Sequence, residues 1–116
     1  RLLTPASKWL MNDSYANDPH IIARSGPAAL HLNPSDAVRI GVREGATVTV
    51  GNDTGELRLV ARLDERVLPG TVLSYKGRWP SLEGSHMNVN FIHPARAADM
   101  GASTSVHSTL VRVARA

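Results

Sequence analysis

Hydrophobic and polar positions alternate most regularly between Ala46 and Leu63. In Thr47-Val48-Thr49-Val50 the two valines share one face, and in Glu56-Leu57-Arg58-Leu59-Val60-Ala61-Arg62-Leu63 the face of Leu57, Leu59, Ala61 and Leu63 opposes that of Arg58 and Arg62. Side chains of an extended chain alternate sides, so this pattern predicts two strands, each with one buried face. Between them, Asn52-Asp53-Thr54-Gly55 reads as the turn of a β-hairpin, with Gly55 expected at positive φ. Shorter apolar runs predict further strands at Leu2–Thr4, Ala29–Leu32, Thr71–Tyr75 (after Pro69-Gly70) and Thr109–Val113.

Helical periodicity is scarce. One short helix is marked by its ends: Asn33 as cap, Pro34 at the first position, Asp36 in the first turn and Gly41 after the last. A second, weaker helix is expected over Pro94–Met100. Pro5–Pro19 and Lys76–Met87 read as irregular loops, rich in Ser, Asn, Gly and Asp, and loops of that length in a compact domain tend to carry function. The elements together predict an all-β barrel or sandwich with one or two short helices, forming a single domain over residues 1–116.

Composition narrows the chemistry. With no Cys there are no disulfides, thiolate metal sites or thiol nucleophiles. No run of about 18 apolar residues is present, so no membrane span is expected. The net charge is +3, and the arginines are scattered singly rather than clustered with aromatics, so nucleic acid is not expected as a partner. His20, His31, His86, His93 and His107 form no metal-ligand spacing and read as isolated, and no metal site is assigned. There is no nucleophile elbow, no glycine-rich phosphate loop and no assignable carboxylate pair, so no catalytic residue is named. Trp9 and Trp79 read as lids over the core.

What remains is a pair of polar loops. Ser7, Lys8 and Ser14 offer groups suited to phosphate, and Asn12, Asn88 and Asn90 present the donor–acceptor pairs that read a heterocycle edge. The same residues satisfy local backbone groups in many ordinary loops.

The order of the motifs resembles the C-terminal dinucleotide-binding domain of the molybdopterin oxidoreductases, the dimethyl sulfoxide reductase superfamily. The matching pieces are Leu3-Thr4-Pro5-Ala6-Ser7-Lys8-Trp9-Leu10-Met11-Asn12-Asp13-Ser14, Leu32-Asn33-Pro34-Ser35-Asp36-Ala37, Gly41 to Val50, Asn52-Asp53-Thr54-Gly55 and Val67-Leu68-Pro69-Gly70. Asn88-Val89-Asn90, Asp99-Met100-Gly101 and His107 to Val113 complete the series. The resemblance implies a six-stranded double-psi β-barrel that grips molybdopterin guanine dinucleotide through loops at one end. By position it places cofactor contacts on Ser7, Lys8, Asn12, Ser14, Asn88, Asn90 and His107. It also implies a domain that is not catalytic alone and whose partners are the cofactor and the remaining domains of a larger molybdenum oxidoreductase. The enzyme would be of the formate dehydrogenase, nitrate reductase or sulfoxide reductase type. This chain departs from the family's first loop at Ala6, Leu10 and Asp13. The alternative is a stand-alone double-psi barrel that serves as a protein or nucleic-acid interaction module. Compartment is left open, with the cytoplasm favoured.

Overall fold

A computed structural model of the protein describes residues 1–12, 14–82, 88–103 and 108–116. Among the described residues six strands appear: β1 (Leu2–Leu3), β2 (Ala29–Leu32), β3 (Thr47–Gly51), β4 (Glu56–Leu63), β5 (Val72–Leu73) and β6 (Arg112–Arg115). They form one sheet in the order β1-β5-β2-β4-β3-β6. The pairs β1/β5 and β2/β4 are parallel, while β2/β5, β3/β4 and β3/β6 are antiparallel. The sheet curls back on itself, because the Leu2 amide donates to the Thr109 carbonyl at 2.9 Å beside β6. Closure of this kind removes exposed sheet edges.

The hairpin forms where alternation predicts it, with Val48 opposite Leu59 and Val50 opposite Leu57. Its inward residues join Leu2, Leu30, Leu32 and Val72 in a single core. Two further contributions cap that core: Ala37 of the helix α2 (Pro34–Ile40) with Val42 beyond it, and Val89 and Ile92 of a 3-10 turn at Val89–Ile92. Helix α2 is built as its sequence predicts: Asn33 Oδ1 accepts from the Ser35 amide at 2.9 Å, and Gly41 closes it in the left-handed region at φ 70°.

Three expectations are corrected. Gly55 is not at positive φ; it is required because a Cβ there would overlap the carbonyl oxygen of Phe91. Pro94–Met100 is not helical, since it has no apolar face to bury: Met100 is almost fully exposed, and the backbone turns instead through Arg96 N to Pro94 O and Ala98 N to Ser103 O. The last strand begins at Arg112, where pairing with β3 starts, and Thr109 forms an isolated bridge to Leu2 instead. A helix absent from the sequence expectations, α1 (Pro19–Ser25), follows the first loop and has no buried residue. Asp18 caps it, accepting from the His20 and Ile21 amides at 2.8 and 3.3 Å.

One histidine has a structural task. His93 Nδ1 lies 2.9 Å from Thr109 Oγ1 and Nε2 lies 3.5 Å from Thr4 Oγ1, which gives two buried hydroxyls at the barrel seam a polar partner.

Candidate functional site in the clefts over β2

Alternation along β2 decides which face is available. Leu30 and Leu32 are buried in the core, so Ala29 and His31 face outward. Over this outer face lies a cleft of about 300 Å³. Ser7, Lys8 and Trp9 of the loop after β1 line one side of it. Ser25 and Pro27, at the end of α1, line another, and Tyr75 and Arg78 beyond β5 complete it. The loop is anchored where it starts, because Ala6 pairs with Lys76 and so extends the β1/β5 alignment into the site.

The cleft's first wall is cationic and aromatic. Lys8 Nζ sits 4.7 Å from the Trp9 ring centroid, and the Arg24 guanidinium carbon sits 5.4 Å from it. Both are at cation–π distance, which orders the two cations beside the cleft. Neither makes an ion pair among the described residues. By contrast Arg39, Arg62, Arg66 and Arg112 each pair with a carboxylate: Asp36, Glu44, Asp64 and Asp53 respectively.

Two neighbouring clefts share these walls. One, of about 210 Å³, lies against α1 and is lined mainly by apolar groups (Leu10, Ala16, Ile22, Trp79 and Leu82); it shares Ser25, Pro27 and Arg78 with the first. The other, of about 510 Å³, shares His31 and Tyr75 with the first and runs on over Leu3, Leu73 and Asp64. The two shared rings pack edge to face, with centroids 5.5 Å apart. In this third cleft the Arg66 guanidinium and amide donate to Asp64 and hold its carboxyl down at about 2.

Burial pushes the His31 imidazole below its ordinary pKa; Arg62 and Arg66 act the same way, while Asp64 and Glu44 oppose them. A histidine that is harder to protonate when folded than when unfolded leaves the unfolded state holding more protons at mildly acidic pH. Its contribution to stability is therefore present above about pH 6.5 and is lost as pH falls below that value. Urea midpoints at pH 7.5 and 5.5 are expected to show a smaller acid loss in His31→Gln than in the wild type, and equal losses would rule the effect out.

The expected site residues divide into groups. Ser7 and Lys8 line the first cleft. Asn12 and Asn88 approach the same dipeptide, Gly77–Arg78. The Asn12 carbonyl lies against Gly77, and Asn88 Nδ2 donates to the Arg78 carbonyl at 3.0 Å. Asn88 Oδ1 also accepts from the Asn90 amide at 2.9 Å, capping the 3-10 turn. Ser14 and Asn90 are exposed and line none of these three clefts. His107 lies outside the described residues, as do His86 and Asp13.

Trp9 and Trp79 line clefts and are absent from the core cluster, which corrects their reading as core lids. Sequence reasoning missed Arg24, His31, Tyr75 and Arg78. Two signals were present: the outward parity of His31 on β2, and the interleaved basic and aromatic residues of Tyr75-Lys76-Gly77-Arg78-Trp79.

Comparison with known proteins gives the family and the fold. A family model described as "Molydopterin dinucleotide binding domain" matches residues 1–110. The "Probable oxidoreductase YoaE" of Bacillus subtilis (strain 168) is 34% identical over 103 residues, covering 89% of this chain and 15% of that protein. The "Probable dimethyl sulfoxide reductase chain YnfF" of Escherichia coli (strain K12) is 29% identical over 108 residues, covering 88% of this chain and 13% of that protein. The chain thus spans about one-seventh of the length of these relatives. Acetylene hydratase from Pelobacter acetylenicus superposes with a TM-score of 0.86 at 15% identity, over 99% of this chain and 18% of that one, which identifies a shared fold. The all-β barrel with short helices is a double-psi β-barrel, and the chain belongs to the molybdopterin dinucleotide-binding domain family of the dimethyl sulfoxide reductase-type oxidoreductases.

Proposed function

We propose that this chain forms one wall of a molybdopterin guanine dinucleotide site in a larger molybdenum-dependent oxidoreductase. The observation that carries the reading is the cleft over β2, where Ser7, Lys8 and Trp9 meet Arg78 and where Lys8 and Arg24 are held beside an indole without a carboxylate partner among the described residues.

The donor set fits such a group. A dinucleotide brings a doubly charged pyrophosphate and flat heterocycles, and needs cations, hydroxyl donors and aromatic surface. Lys8 supplies a compact charge, Ser7 a hydroxyl, and Trp9 and Tyr75 ring surface. A cleft of about 300 Å³ beside one of about 510 Å³, with His31 and Tyr75 lining both, has room for part of a large ligand, and the rest would be covered by other domains. Asn12 and Asn88 serve this site by bracing Gly77–Arg78. When bound, the cofactor supplies the molybdenum redox chemistry; this chain orients it, supplies hydrogen bonds and keeps water from one side of it. The parent reaction, of the formate dehydrogenase, nitrate reductase or sulfoxide reductase type, is specified elsewhere in the protein. Residues 1–116 act as one domain in this reading.

Arg39, Arg62, Arg66 and Arg112 are tied to carboxylates, so these four are poorly placed to form the cationic stripe a nucleic-acid module would need. In the full-length protein, Lys8→Gln is expected to lower molybdenum and dinucleotide content per chain several-fold with the melting temperature unchanged. Equal content in the variant and wild type would defeat the assignment.

A further inference from the structure

Helix α1 is held to the barrel in an unusual way. It buries none of its own residues, and seven residues are too few for a helix to persist alone in water. Something outside the helix must keep it in place, because its final residues form a wall of both the first and second clefts.

Arg24 of the helix stacks on Trp9 of the first loop, and the C-terminal end of the helix is held by Arg78. One terminal nitrogen of the Arg78 guanidinium donates to the Gly26 carbonyl at 2.6 Å and to the Ser25 carbonyl at 3.4 Å. These carbonyls close the C-terminal end of α1, where a cation is favoured by the helix dipole as well as by the hydrogen bond. The backbone of Arg78 is itself fixed, since its carbonyl accepts from Asn88 Nδ2. The preceding Gly77 packs against the Asn12 carbonyl. The first loop, the end of α1 and the 3-10 turn, distant in sequence, therefore meet at the Gly77–Arg78 dipeptide, α1 through the Arg78 side chain and the other two through its backbone.

We infer that Arg78 is a positioning residue for the dinucleotide site, clamping α1 as the wall that closes the first cleft. This rests on the cofactor reading above and adds to it a residue and a role. The guanidinium acts on the ligand through the wall it holds, while Lys8 supplies the charge directed at phosphate. The order of dependence is then definite: Asn88 fixes Arg78, Arg78 fixes α1, and α1 retains the ligand.

The test uses the full-length holoprotein, with hydrogen exchange of peptides covering residues 14–27 and the rate of cofactor loss as separate readouts. Arg78→Met keeps an apolar stem but removes the donor. Arg78→Lys restores a donor and a charge. Exchange in the 14–27 peptides is expected to rise about tenfold in Arg78→Met, with protection of the β3–β4 hairpin unchanged, and cofactor is expected to leave several-fold faster. Arg78→Lys is expected to recover most of both. Unchanged exchange in Arg78→Met would overturn the clamp, and faster exchange with unchanged cofactor loss would overturn the role of the wall. If Arg78→Met raises exchange while Lys8→Gln leaves cofactor content intact, the clamp stands as a structural device and the cofactor reading is what fails.

Discussion

Replacing Gly77 with alanine is expected to destabilise the domain by about 3 kcal/mol and to empty the cofactor site with it. Two costs combine at this position. Gly77 sits at φ 97°, a conformation that costs an L-residue about 1–2 kcal/mol. A Cβ there would also overlap the Asn12 carbonyl oxygen, while meeting Leu10 Cδ1 only at ordinary contact distance, 3.6 Å. A flexible side chain can rotate away from such a clash, but a backbone carbonyl can yield only if its loop moves. That loop carries Ser7, Lys8 and Trp9, so the displacement reaches the cleft. Gly70→Ala is the matched control: φ is 81°, but no atom lies within 4 Å of the added carbon, so it should cost only about 1 kcal/mol and spare the cofactor. Urea midpoints and molybdenum content of the full-length protein decide the matter. Equal effects of the two substitutions would show that Gly77 matters through its dihedral angle alone.

The elements legible in the sequence are those whose signals are local. The β3–β4 hairpin announces itself because each strand has one face in the core and one in water, and α2 because Asn33, Pro34 and Gly41 mark both ends. Helix α1 escaped because it has no buried stripe; its only local signals are Asp18 before Pro19 and Gly26 after Ser25. The expected helix over Pro94–Met100 failed for the converse reason, since Ala97, Ala98 and Met100 suit a helix but have nothing to bury against. The site divides in the same way. Ser7 and Lys8 were visible as members of one polar loop. Arg78, Tyr75 and His31 were not, because only the parallel alignment of β1 with β5 and the pairing of β5 with β2 bring them beside that loop. Asn88 was visible as a polar loop residue, yet its amide turns inward to the Arg78 carbonyl. Its residue type was readable, whereas its partner depended on a chain crossing.

Gly55→Val is expected to cost about 3 kcal/mol, at the upper end for overpacking, by separating the hairpin turn from the element beneath it. The turn is pressed onto the 3-10 turn: Asn52 Nδ2 donates to the Ile92 carbonyl at 2.7 Å and to the Leu110 carbonyl at 3.3 Å. Asn52 Oδ1 accepts from the Thr54 and Gly55 amides, which fixes the turn's own shape. Any Cβ at residue 55 would overlap the Phe91 carbonyl oxygen and approach Ile92 Cγ2 at 3.9 Å. Ile92 is fully buried, so relief by shifting the 3-10 turn opens the core between Val89, Ile92 and the hairpin. The alternative cause, a left-handed glycine, makes a different forecast. Asparagine tolerates that region, so Gly55→Asn would then lose far less than Gly55→Ala. Under close approach the two lose alike, because both carry the offending carbon. Thermal melts of the Ala, Asn and Val variants separate the causes, and a near-native Asn variant would return the turn to a dihedral explanation. The same shift has a functional reach, since Asn88 caps the 3-10 turn and holds the Arg78 carbonyl. A hairpin turn far in sequence from the polar loops is thereby coupled to the wall of the cleft, and cofactor content should fall with stability in the Val variant.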